Sequence, residues 1–131
     1  MIYDLLRPDG PTLARPRSID VRDVARSLVN ALTAPPASQV GRKRILMTGE
    51  WFSGKQAVDH IAEVRPELKD RLSEAAKRPV ENPVTKIDNT RAREVLQLTD
   101  VTPWKKTVMD AVDDLLKMEG ELRQRGIVVP I

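Results

Sequence analysis

The chain contains no cysteine in its 131 residues. That removes disulfide scaffolds, thiolate zinc sites, iron–sulfur clusters and thiol nucleophiles together. It is compatible with a reducing compartment. A single histidine, His60, leaves no material for a metal site built from imidazoles. Aromatic residues are scarce as well. Tyr3, Trp51, Phe52 and Trp104 are the whole set, so the core has to come from Val, Leu, Ile and Ala. No apolar run approaches the roughly 20 residues of a membrane span. The segment Met1–Arg7 lacks the apolar centre, roughly 7–15 residues long, of a signal peptide. No Gly-x-Gly-x-x-Gly or Gly-x-x-Gly-x-x-Gly run occurs, so the chain carries no dinucleotide-binding turn of its own. Charge of one sign is missing too: 22 Lys and Arg face 19 Asp and Glu, a net charge of +3. The two signs alternate, as in Arg65-Pro66-Glu67-Leu68-Lys69-Asp70-Arg71, and only Arg42-Lys43-Arg44 forms a cluster. This is a solvated surface, and neither a nucleic-acid nor a membrane partner is expected.

What is present suits one soluble globular domain: 40% of residues are apolar and 31% charged. Residues 1–18, rich in Pro and Arg, are expected to be an irregular lead-in. Val21, Val24, Ala25, Leu28, Val29 and Leu32 then fall on one face of a helix, with Asp20 as N-cap and Pro35-Pro36 as its end. Arg44–Thr48 is a short unbroken apolar stretch between Gly41 and Gly49, which predicts a strand covered on both faces. Ser53-Gly54-Lys55-Gln56 has the form of a capping box opening a second helix. Ala57, Val58, Ile61 and Ala62 are its apolar stripe, and Pro66 stops it near Val64. Residues 73–87 are predicted as a loop with a short extended piece at Val84–Ile87. Asp88 or Asn89 caps a brief helix carrying Ala92, Val95 and Leu96. The last helix starts with Thr102 as cap and Pro103 at its first position, and it ends at Gly126. Trp104, Val108, Val112, Leu115 and Leu122 line one of its sides.

One strand among helices is physically odd. Only Arg17–Asp20 and Ile127–Ile131 are candidates to pair with it, and buried N–H and C=O groups left without a neighbour cost about 1–3 kcal/mol each. A strand followed by a helix belongs to a multi-stranded α/β sheet. This chain supplies the end of such a sheet and not its body.

Several groups of residues imitate known chemistry. Gly49–Gln56 satisfies the first seven positions of a phosphate-binding loop but places Gln56 where a Ser or Thr hydroxyl would hold magnesium. A strand-to-helix turn with a capping box explains it. Tyr3 and Arg7 have the spacing of a tyrosine–lysine catalytic pair, but arginine does not reproduce the lysine's hydrogen bonds. Asp110, Asp113 and Asp114 interleave with Lys106 and Lys117 and form a charged helix face. His60, beside Asp59, has no evident second ligand or nucleophile partner. No residue of the chain is assigned a catalytic, cofactor-binding or metal-ligating role.

Taken in order, the segments resemble a family. Ile19-Asp20-Val21-Arg22-Asp23-Val24-Ala25-Arg26 is similar to the VDVRDVA segment of extended short-chain dehydrogenases/reductases. Within them the likeness is to the dihydroflavonol-reductase-like and NAD-dependent epimerase/dehydratase group, and to fungal ketoreductase-like members in particular. Gly41-Arg42-Lys43-Arg44-Ile45-Leu46 resembles the strand that follows there, and Arg65-Pro66-Glu67-Leu68 the family's xPEL. Asp88, Ala92, Val95 and Leu96 match its D…A…LG piece, and Thr102-Pro103-Trp104 with Val108 the start of its last helix. Gln97 stands where the family has glycine, and Leu28 where many members have histidine.

The likeness runs from about Tyr3 to Arg125 and corresponds to the last third to half of a family enzyme. It implies an α+β, mostly helical C-terminal lobe of about four helices and one to three short strands, without the Rossmann core. Residues 19–125 would be the substrate-binding lobe and 126–131 a tail. The family's glycine-rich turn and Ser/Tyr/Lys site lie N-terminal to the matched region and carry over to no residue here. The chain is therefore expected to be a truncated or split part of a cytoplasmic reductase that uses NAD or NADP on a ketone or aldehyde, binding no cofactor alone. Its partner is expected to be a Rossmann-domain chain, or a second copy met through exposed apolar surface; the alternative is a helical interaction module.

Overall fold

The computed structural model describes residues 2–11, 18–42, 44–78 and 87–128. The protein is mostly helical, and among the described residues there is no strand; a single bridge at Trp51 is the extent of sheet-like pairing. The α-helices are α1 (Val21–Leu32), α2 (Ala37–Val40), α3 (Gly54–Val64), α4 (Thr90–Leu96) and α5 (Trp104–Gln124). Three 3-10 turns, Tyr3–Leu6, Pro66–Arg71 and Ala75–Lys77, complete the inventory among the described residues. The chain divides into two compact units, each discontinuous in sequence.

The first unit gathers the described residues of 1–16, 52–81 and 105–131. Its core is aliphatic, as the scarcity of aromatics requires. Leu5, Leu6, Phe52, Ala57, Val58, Ile61, Leu68, Leu72, Val108 and Val112 are all buried. Phe52 is the one buried aromatic among them. The box at the start of α3 forms as its sequence dictates: Ser53 Oγ accepts from Gln56 N at 3.1 Å, and Gln56 Oε1 accepts from Ser53 N at 2.8 Å. Pro66 then turns the chain into a 3-10 helix that buries Leu68. The N-terminal residues depart from the expected irregular lead-in. Tyr3–Leu6 is a 3-10 turn with Leu5 and Leu6 fully buried. Ser73 fixes this segment from two sides, donating its N–H to the Leu5 carbonyl (3.0 Å) and its hydroxyl to the Gly10 carbonyl (2.7 Å). A Cβ at Gly10 would run into the Asp4 carbonyl, so only glycine fits that bend.

The second unit gathers the described residues of 17–51 and 82–104. Here α1 begins at Asp20, whose carboxylate accepts from Arg22 N (2.9 Å) and from the Arg22 guanidinium (2.8 and 2.7 Å). The predicted strand at Arg44–Thr48 is absent: these residues form irregular chain, with Ile45, Met47 and Thr48 half-buried and Leu46 exposed. The reason is the one the sequence raised. No neighbouring strand exists among the described residues to take its N–H and C=O groups. The segment is tied instead by side chains and one loop contact. Asn89 Nδ2 donates to the Thr48 carbonyl (2.8 Å), and Gly49 N donates to the Ser18 carbonyl (2.9 Å). Nor do Ser18–Asp20 or Ile127–Val128 form strands. Arg17, Val84–Lys86 and Val129–Ile131 lie outside the described residues.

At the end of α4, Gln97 adopts the left-handed conformation (φ +52°), which lets Leu98 N reach back to the Ala92 carbonyl at 3.1 Å. The start of α5 shifts by one residue from the expected cap. Trp104 N donates to Glu50 Oε2 at 3.0 Å, so a carboxylate from the loop before α3, distant in sequence, supplies the acceptor expected of Thr102.

Candidate functional site

Two places in the structure combine chemistry with an unusual environment. The first is α1 in the second unit. An amphipathic helix normally turns its apolar stripe inward, and here the arrangement is inverted. Val21 is 77%, Leu28 62%, Val29 64% and Leu32 85% exposed, while Asp23 and Ser27 are buried. The inward polar face is occupied by loop backbone. Asp23 Oδ2 accepts from Thr102 N (2.7 Å), and Asp23 Oδ1 accepts from the Arg26 guanidinium (2.9 Å). Arg26 also donates to the Asp100 carbonyl, and Asn30 Nδ2 donates to the Leu96 carbonyl at 2.8 Å. Ser27, on the same side of the helix, is buried without a hydrogen-bond partner for its hydroxyl. The polar side of α1 thus serves as a template for the loop after α4, and the apolar side faces solvent.

The second place is a charged cluster in the first unit. Glu119 lies on α5 and is buried, clasped by Arg71 through Nη2–Oε1 (2.7 Å) and Nη1–Oε2 (3.0 Å). Arg71 gives its remaining Nε to the Leu6 carbonyl at 3.0 Å. Tyr3 donates its phenol to the same carboxylate. These contacts hold the Glu119 carboxyl below the ordinary carboxylate range, the Arg71 hydrogen bonds being the largest cause. The Tyr3 phenol is pushed up, first by burial and then by Glu119. Every charge in this cluster has a partner, so it joins the N-terminal turn, the Pro66–Arg71 turn and α5 as a structural clasp.

The residues singled out in the sequence find separate places. Arg7 forms a fork with Asp9 (3.2 and 2.8 Å) while Tyr3 serves Glu119, so the two do not act as a pair. In the sequence that imitates a phosphate loop, Ser53 and Gln56 satisfy one another, Lys55 Nζ pairs with Asp59 at 2.6 Å, and Phe52 is buried. Lys106 meets Asp110 at 3.0 Å, as the helix spacing predicts. Asp113 instead receives Arg65 at 2.8 Å. His60 lies on α3 with Nδ1 3.9 Å from Glu63 Oε2. Among the described residues no group of three or more His, Asp or Glu could hold a metal ion, and no helix is long and apolar enough to cross a membrane.

Sequence reasoning missed Glu119. The signal was present: Val108, Val112, Leu115 and Leu122 mark a face of α5 on which position 119 falls, so a carboxylate there had to find a cation. In comparisons with known proteins, no family model matches this chain, and neither a curated protein nor a solved structure matches it.

Proposed function

We propose that this chain is the C-terminal, substrate-side portion of an NAD(P)H-dependent ketone or aldehyde reductase. It works in the cytoplasm and only when a cofactor-binding chain covers the apolar face of α1. One observation carries this reading. A stripe of valines and leucines points outward while the polar side of the same helix is spent on its own loop, as expected of a helix made to be packed against something larger. The segment-by-segment resemblance to extended short-chain dehydrogenases/reductases supports the choice of reductase. The left-handed Gln97, at the position where the family carries glycine, is a further point of support.

In this reading the chain contributes shape and substrate contacts, and a second chain contributes the nicotinamide and the proton donor. The test is a titration of the isolated chain with NADPH, followed by the cofactor's fluorescence. No saturable binding and no carbonyl turnover are expected. Micromolar binding or measurable turnover by the chain alone would overturn the division of labour.

A further inference from the structure

We infer that Ile2–Gly10 is a releasable strap on the first unit: it detaches as one piece, ahead of the unfolding of the rest of that unit, and uncovers the apolar seats of Leu5 and Leu6. The inference is independent of the reductase reading, because it concerns residues of the first unit alone. The segment is bonded within itself. Leu5 N donates to the Ile2 carbonyl (3.0 Å), Gly10 N donates to the Arg7 carbonyl (2.9 Å), and the Arg7 guanidinium forks onto Asp9. Gly10 lies so close to the Asp4 carbonyl that no Cβ fits between them. These local bonds do not depend on the rest of the unit, so the piece moves together.

The outward ties come from far along the chain. Arg71 Nε donates to the Leu6 carbonyl, 65 positions away, and Ser73 Oγ to the Gly10 carbonyl, 63 positions away. Ser73 N holds the Leu5 carbonyl at 3.0 Å, and the Tyr3 phenol donates to Glu119. The groups that grip the strap keep other partners when it leaves. Arg71 and Glu119 remain joined by two hydrogen bonds of 2.7 and 3.0 Å, and Ser73 Oγ still accepts from Ala76 N at 3.2 Å. Release therefore strands no buried charge, which is the expensive event in opening an ionic cluster. What it gives up is the burial of two leucines. Phe52, Val58, Ile61, Leu68, Val108 and Val112 remain as the core of the unit, carried by α3, the Pro66–Arg71 turn and α5. Freeing the end of so long a loop also returns chain entropy. A small apolar loss with every gripping charge still paired is the pattern of a sub-global opening.

The experiment is residue-resolved amide hydrogen exchange on the full chain, over a urea series below the unfolding transition. The Ser73 amide reports directly on the strap, because its acceptor is the Leu5 carbonyl; the Ile61 amide, inside α3, reports on the rest of the unit. Ser73 is expected to be at least tenfold less protected than Ile61 and to respond weakly to urea, since little surface is exposed when the strap leaves. Two variants separate the openings. Ser53→Ala weakens the α3 cap equally with the strap on or off, so it is expected to lower Ile61 protection about fivefold and to leave Ser73 unchanged. Tyr3→Phe removes a tie of the strap itself and is expected to lower Ser73 protection about tenfold, with an unaltered far-ultraviolet circular dichroism spectrum. Three outcomes overturn the proposal: Ser73 and Ile61 sharing one protection factor and one urea slope, Ser53→Ala lowering both alike, or Ser73 protection indifferent to Tyr3→Phe.

Discussion

At the scale of single residues, Gln97 shows how a local cost can be tolerated for geometry. Its left-handed backbone closes α4 and turns the chain so that Leu98 is buried. A side chain in that conformation costs about 1 kcal/mol that glycine does not incur. Gln97→Gly is therefore expected to stabilise the protein by about 0.5–1 kcal/mol, a rise of about 2–4 °C in the thermal midpoint. An unchanged or lower midpoint by differential scanning calorimetry would contradict this. The position was visible in the sequence as a departure from the resembled pattern, because a turn that glycine usually makes still has to be made. Glu119 was less visible because burial of a carboxylate depends on a cation brought from elsewhere in the chain, and Arg71 carries no mark of that role.

At the scale of elements, local signals were sufficient where the determinants are local. The limits of α1 and α3 follow from Asp20, the Ser53–Gln56 box, Pro35 and Pro66, all of which act within a few residues of the ends they set. Ser53→Ala is expected to cost about 1 kcal/mol, read from the midpoint of urea unfolding, because Gln56 N loses its acceptor at a helix start. The strand expected at Arg44–Thr48 failed for the opposite reason. A strand is a property of a pair, and apolar content alone supplies no partner. The orientation of α1 was hidden for a related reason. Periodicity identifies a stripe, but it does not tell whether the protein's own core or another surface lies against it.

At the scale of the molecule, the two units draw on different materials. The first is closed by an aliphatic core and by the clasp of Tyr3, Arg71 and Glu119; the second is organised by the buried Asp23 carboxylate and the half-buried Asn30 amide of α1. Because Arg71 keeps some contact with water, Glu119→Gln is expected to destabilise the first unit by about 2–3 kcal/mol. The clasp also sets a pH dependence. The folded-state pKa of Glu119 is lowered, so its stabilisation is complete above the ordinary carboxylate value of 4.5 and disappears as pH falls through the lower folded value. Acid unfolding of the wild type should accordingly be steeper below pH 4.5 than that of Glu119→Gln. Parallel acid profiles followed by tyrosine and tryptophan fluorescence would show that the carboxylate contributes nothing to the difference.

The inverted helix has a consequence for the chain on its own. It gains nothing by rolling α1 over to hide its leucines. Such a rotation would strand Thr102 N–H and the carbonyls of Leu96 and Asp100 without the side chains that now satisfy them. The apolar side of α1 is held in place by the polar side, whose hydrogen bonds fix the roll of the helix within its own unit.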